Sequence, residues 1–138
     1  MLGMDPNDAV VQKMRVVAKA AAENAYCPYS KFPVGAAVLT DDGEVFSGCN
    51  VENASLGLTM CAERNAVFQA VARGYRKIVA VVIVTLALTP APPCGACRQV
   101  INEFGNEAEV FSFDKDGNVL HHRLDQLLPQ AFASNALS

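Results

Sequence analysis

The chain has 138 residues, 51% of them hydrophobic and 18% charged, a composition that supports one domain with a real core over residues 1–138 and excludes a disordered tail or linker. Lys and Arg number 11 against 14 Asp and Glu, for a net charge of -3, so nothing in the composition draws the chain to a nucleic-acid duplex or an anionic membrane. The longest apolar run, Ile78 to Leu88, falls short of the ~20 residues of a membrane helix, and Asp5 stands where a secretory signal would carry positive charge, so a cytoplasmic protein is expected.

Apolar residues at Val10, Val11, Met14, Val17, Ala18, Ala21 and Ala22 recur at helical spacing and predict an amphipathic helix from Asp8 to Ala25, ending before Cys27-Pro28. Two strands follow, Val34 to Leu39 and Glu44 to Cys49, joined as a hairpin by Asp41-Asp42-Gly43. A second helix from Cys61 to Arg73 carries Ala62, Ala66, Val67, Ala70 and Val71 as its apolar stripe, with Gly74 at its C-cap. Ile78 to Val84 is apolar on both faces, as in a central strand. The Pro-rich stretch Pro90 to Pro93 enters a third helix, Cys94 to Phe104. Glu109 to Phe113 and Val119 to His122 flank a turn at Asp114 to Gly117, and a short helix, Leu124 to Leu128, precedes Pro129. This order predicts a three-layer α/β/α domain around a mixed five-stranded sheet.

The cysteines Cys27, Cys49, Cys61, Cys94 and Cys97 are an odd set in a chain expected to stay in a reducing compartment, so metal or catalysis explains them better than disulfides. Cys94 and Cys97 lie three apart at a helix start, where their sulfurs share a face and can hold one ion. Zinc accepts thiolates, and a catalytic zinc takes three protein ligands while keeping a fourth position for water, a count that Cys61, Cys94 and Cys97 fill. An isolated C-x-x-C is equally a redox pair or half of a structural site. Cys61-Ala-Glu63 ahead of Pro93-Cys-Gly-Ala-Cys97 favours catalysis, because zinc deaminases place a ligand-x-Glu before Pro-Cys-x-x-Cys and use that Glu to move protons. Cys27 and Cys49 lack paired spacing and read as core thiols. His121 and His122 alternate faces in a strand and read as solvated or edge residues.

Five segments taken in order make nearly the whole chain resemble the small three-cysteine cytidine deaminases, which are usually homotetramers. They are Tyr26-Cys-Pro-Tyr-Ser-Lys-Phe-Pro-Val-Gly35, Gly48-Cys-Asn-Val-Glu-Asn-Ala54, Cys61-Ala-Glu-Arg64, Pro93-Cys-Gly-Ala-Cys-Arg-Gln99 and Leu127-Leu-Pro-Gln-Ala-Phe132. The resemblance implies one zinc per subunit on Cys61, Cys94 and Cys97, with Glu63 as general acid and base. It implies Asn50 and Glu52 at the ribose hydroxyl, Phe32 beside the pyrimidine and the Ala62 backbone N–H on the base carbonyl. It also implies the Pro92 carbonyl near the leaving amine and Phe132 in a neighbouring subunit's site. The substrate implied is a small nucleoside, cytidine or 2′-deoxycytidine, and no nucleic acid.

Three thiolates on a divalent zinc leave a net charge of about -1, which opposes deprotonation of water. Arg64 is expected to offset it by hydrogen-bonding a cysteine sulfur, with Arg98 the weaker candidate. The chain departs from the family at Leu56, where Tyr is usual, and at Pro92, where Ser often stands. The segment 85–92 also lacks the acidic and Gly residues common there. This apolar rim leaves room for modified or N4-substituted pyrimidines. Two rivals stay open: a deaminase of the same fold acting on another aminated nucleoside, of the blasticidin type, and a non-catalytic zinc-stabilised module, against which the intact Glu63 stands.

Overall fold

In a computed structural model, residues 3–137 of the chain are described. Helix α1 (Ala9–Ala22) buries Val11, Met14, Ala18 and Ala22, the stripe its spacing dictates. It stops three residues short of the sequence expectation. Asn24 and Ala25 bond back to Ala21 and Ala22 in tighter turns, and Tyr26 N–H then donates to the Asn50 carbonyl, which pulls the chain off the helix axis.

Strand β1 (Val34–Thr40) pairs antiparallel with β2 (Val45–Cys49) on one side and with β3 (Ile78–Thr85) on the other. β3 runs parallel to β4 (Glu109–Phe113), which pairs antiparallel with the edge strand β5 (Val119–Arg123). The order β2-β1-β3-β4-β5 is the expected mixed five-stranded sheet, with β3 at its centre. Strand alternation divides the core in two. Ala36, Val38, Val81, Ile83 and Val110 pack with residues of α2 (Ala62–Ala72), α3 (Gly95–Gly105) and the short α4 (Leu124–Leu127). Ala37, Leu39, Val82, Val84 and Phe111 pack with α1. Two one-turn 3-10 helices, Leu56–Leu58 and Ser134–Leu137, are too short to carry a sequence periodicity.

Two glycines bring helices onto the sheet backbone itself. A Cβ on Gly35 would lie 1.8 Å from the Ala18 carbonyl oxygen, and one on Gly48 would lie 2.6 Å from the Ala66 amide nitrogen. α1 and α2 therefore sit closer to β1 and β2 than any side chain at those positions would allow. β1 starts where β3 ends, with Val34 opposite Thr85, and the N-termini of α2 and α3 approach that same end of the sheet.

Some side chains differ from expectation. Cys27 and Cys49 are half-buried rather than core thiols. Both histidines lie on the edge strand as expected and His122 is exposed, but His121 is mostly covered: it stacks on Phe111 with centroids 4.1 Å apart and meets Glu109 Oε1 at 3.1 Å. Among the described residues no helix is long and apolar enough to cross a membrane.

Candidate metal centre and active site

Cys61 and Cys94 are the N-caps of α2 and α3, with extended backbones, and neither thiol caps its own helix. Neither sulfur is spent on its own helix, and both stand at helix starts, where unpaired N–H groups carry partial positive charge. Cys97, one turn into α3, is buried. The three Sγ atoms lie within 4.8 Å of one another, with Cys61 and Cys94 3.9 Å apart. A tetrahedral zinc with bonds of about 2.3 Å needs sulfurs roughly 3.8 Å apart, so these donors fit the ion with little movement. Among the described residues no fourth His, Cys, Asp or Glu joins the cluster, which leaves one coordination position open.

The cluster is strongly polarised even as free thiols. The Cys97 thiol donating to Cys61, aided by Arg64 and Cys94, outweighs burial and holds Cys61 at about 5. Cys97 is pushed the other way, by that same hydrogen bond and by burial. Arg64 Nη2 donates to Cys61 Sγ at 3.3 Å, as its place one turn after Cys61 permits. Arg98 does something else. Its Nε donates to the Pro93 carbonyl at 2.7 Å and its Nη1 to the Leu127 carbonyl at 2.9 Å, so it ties the entry of α3 to the C-terminal segment instead of meeting a sulfur.

Glu63, on the first turn of α2, is 6% exposed, and burial followed by the nearby Cys61 charge lifts its carboxyl to about 7. It lines a cavity of about 190 Å³ together with Cys61 and Cys94. Ala62 and Pro92 also line it, as does Asn50. The Asn50 side chain braces the mouth: Nδ2 donates to the Phe32 carbonyl and Oδ1 accepts from Val34 N–H, both at 2.9 Å. Val34, Thr59, Ile83 and Ala91 complete the wall; Ala91 belongs to the expected apolar rim, whereas Val34, Thr59 and Ile83 carry no sequence signal for a site. Of these only Thr59 is polar, and its hydroxyl already accepts from Asn53 N–H at 3.2 Å.

Three residues expected at the substrate lie outside this wall. Phe32 is 39% exposed and Phe132 60% exposed, the latter held through its carbonyl by Gln99 Nε2 at 2.8 Å. Glu52 Oε1 accepts from Tyr29 N–H at 2.9 Å and Ser30 N–H at 3.1 Å, and hydrogen bonding to Ser30 above all holds its carboxyl below the ordinary value. Leu56 is exposed on its 3-10 turn and does not reach the cavity.

A family model described as the cytidine and deoxycytidylate deaminase zinc-binding region matches residues 9–113. The cytidine deaminase of Sporosarcina psychrophila is 46% identical over 129 residues, covering 93% of this chain and 95% of its own. That of Mycobacterium tuberculosis is 44% identical over 124 residues, 90% of each chain. The crystal structure of the cytidine deaminase from Burkholderia pseudomallei superposes with a TM-score of 0.84 at 51% identity, over 88% of this chain and 98% of that one.

Proposed function

The chain belongs to the cytidine and deoxycytidylate deaminase family, and from that premise we propose that residues 1–138 form one catalytic domain that hydrolyses cytidine and 2′-deoxycytidine to the uridine forms and ammonia. The observation that carries the reading is the shared cavity: a buried carboxylate, Glu63, faces the same space as Cys61 and Cys94 yet stays out of the sulfur cluster. A merely structural zinc site has no use for such a group. Zinc, held by Cys61, Cys94 and Cys97, supplies when bound the Lewis acidity that makes water a nucleophile near neutral pH.

The chain's own residues do the rest. Glu63 takes one proton from the attacking water and passes it to ring N3 as C4 becomes tetrahedral, then takes the remaining hydroxyl proton of the adduct and gives it to the amine as the C4–N bond breaks and the C4 carbonyl forms. One water is consumed, one ammonia leaves, and Glu63 returns to its starting state. The Ala62 N–H meets the base carbonyl and the Pro92 carbonyl receives the amine. Asn50 and Glu52 take the ribose hydroxyl, with Glu52 also fixing the loop that carries Phe32 beside the ring. Phe132, exposed in the single chain, completes the site of a neighbouring subunit in a homotetramer. Ala91 and Pro92 present no side-chain donor, which favours tolerance of N4-substituted pyrimidines as an extension of the same reaction.

The test is an ultraviolet progress curve on cytidine for wild type and Glu63→Gln, with zinc measured in both. Wild-type turnover with a silent, zinc-loaded variant is the expected result. A wild type that holds zinc and leaves cytidine untouched overturns the substrate assignment.

A further inference from the structure

On the α1 side of the sheet, away from the sulfur cluster, a second cavity of about 290 Å³ opens between α1, the end of β3 and the turn after β4. Arg15, Lys19 and Lys115 line it with Val84, Leu86 and Asp114. Arg15 and Lys19 are one helical turn apart on the same face of α1, a like-charge spacing that by itself destabilises a helix. Among the described residues no carboxylate forms an ion pair with any of the three cations. What sets these three apart is their convergence on one hollow in a chain whose acids outnumber its bases.

The acid in the wall offsets one of the three positive charges but pairs with none of the cations. Asp114 Oδ1 accepts from Asp116 N–H at 2.8 Å and Asn118 N–H at 2.9 Å, and Oδ2 accepts from Asn118 Nδ2 at 2.8 Å, so its carboxylate is committed to its own turn. Arg15 is already ordered, with Cζ 4.8 Å from the centroid of the Phe113 ring, so little freedom is lost when it engages an anion. A volume near the lower bound of small-molecule sites suits a compact ligand, and a phosphate group offers several acceptor oxygens to one guanidinium and two ammonium groups.

The same cavity touches the catalytic rim through a short stretch of chain. Lys115 N–H donates to the Ala87 carbonyl at 3.0 Å, Leu86 is in the wall, and a few residues later Ala91 and Pro92 line the catalytic cavity. We propose that the Arg15, Lys19 and Lys115 cavity seats a small phosphate-bearing anion, and that segment 86–92 links its occupancy to the rim of the catalytic cavity.

Titration of the zinc-loaded full chain with inorganic phosphate, at ionic strength held constant with sodium chloride, tests this by amide nuclear magnetic resonance. The expected result is saturable shifts at Leu86, Ala87 and Lys115, with the Ala91 amide moving at the same midpoint. The doubly substituted Lys19→Gln, Lys115→Gln chain, altered only at exposed side chains, is expected to raise that midpoint about tenfold. Linear shifts, or a midpoint the double variant leaves in place, overturn the site. Saturation at Lys115 with a stationary Ala91 amide overturns the link to the rim. Neither readout depends on which nucleoside the enzyme deaminates.

Discussion

The two faces of the sheet use the same five strands for different ends. On the α1 face the helix lies along the strands, and Val11, Met14 and Ala18 meet Ala37, Val82 and Phe111 in a core of ordinary apolar packing. On the other face α2 and α3 start near the end of the sheet, so their first turns open toward a cavity instead of closing over it. Small residues at Ala62, Ala66 and Ala70 keep α2 close to the strands, and reactive groups collect where the helices begin. One face supplies rigidity, and the other spends some of it on a buried carboxylate and three thiols. If that division is real, substitutions on the two faces separate stability from chemistry.

The largest separation is expected at Glu63. Glu63→Gln keeps volume and a hydrogen-bonding side chain but cannot shuttle a proton, so turnover of cytidine is expected to fall by about 10³ or more while zinc content and melting temperature hold. A variant with much of its turnover left would move the proton transfer to another group. Next come the two glycines. Gly35→Ala drives a methyl into the Ala18 carbonyl and Gly48→Ala drives one into the Ala66 amide, each costing about 3 kcal/mol, or about 10 °C in melting temperature. They differ in what else they damage: Gly35→Ala leaves zinc per folded molecule intact, whereas Gly48→Ala displaces α2 and with it Cys61. Calorimetry with metal analysis of the folded fraction reads both, and equal zinc loss in the two variants would break the division between faces.

Much of this was legible in the chain itself, for reasons particular to each element. The ligand set could be read because spacing fixes it: Cys94 and Cys97 are one helical turn apart, and a helix start is a place that sequence marks well. Arg64 follows the same rule, three residues after Cys61 and so on its side of the helix. Arg98 shows where adjacency misleads, since the residue after Cys97 points about 100° around the helix, toward Pro93 and Leu127. Loops were the least readable. Glu52 and Phe32 lie in segments without a period, where long-range bonds hold the Glu52 carboxylate on the Tyr29 and Ser30 amides and the Phe32 carbonyl on Asn50. His121 hid its burial behind an alternation that could not say which face was covered.

Arg64 gives a smaller and sharper test. Its guanidinium meets Cys61 Sγ, and its Nε is buried with no partner of its own, so the side chain is placed by the sulfur side of the site. Arg64→Gln is expected to weaken zinc binding by about 10 to 100-fold in a chelator competition, with a change in melting temperature only as large as the lost zinc explains. Unaltered zinc affinity would reduce Arg64 to packing.

The smallest expected effect lies at the edge of the α1 face, where Asp114 organises the β4–β5 turn. Burial works against its charge, but hydrogen bonds from Asn118, Asp116 and Gly117 outweigh that and hold its carboxyl below the ordinary 3.8. A folded-state value below the unfolded one stabilises the fold above the unfolded value, and that contribution is lost as pH falls through the folded one. Asp114→Asn keeps one acceptor oxygen but has no charge to lose. Its melting temperature is expected to lie below that of wild type at pH 6, with the gap narrowing as the pH drops under about 4. Both proteins shed zinc as the thiolates protonate in acid, and that loss cancels in the difference between them. A gap constant across the range would mean that the turn is held by the shape of the side chain rather than its charge, and would make the α1 face insensitive to pH at this position.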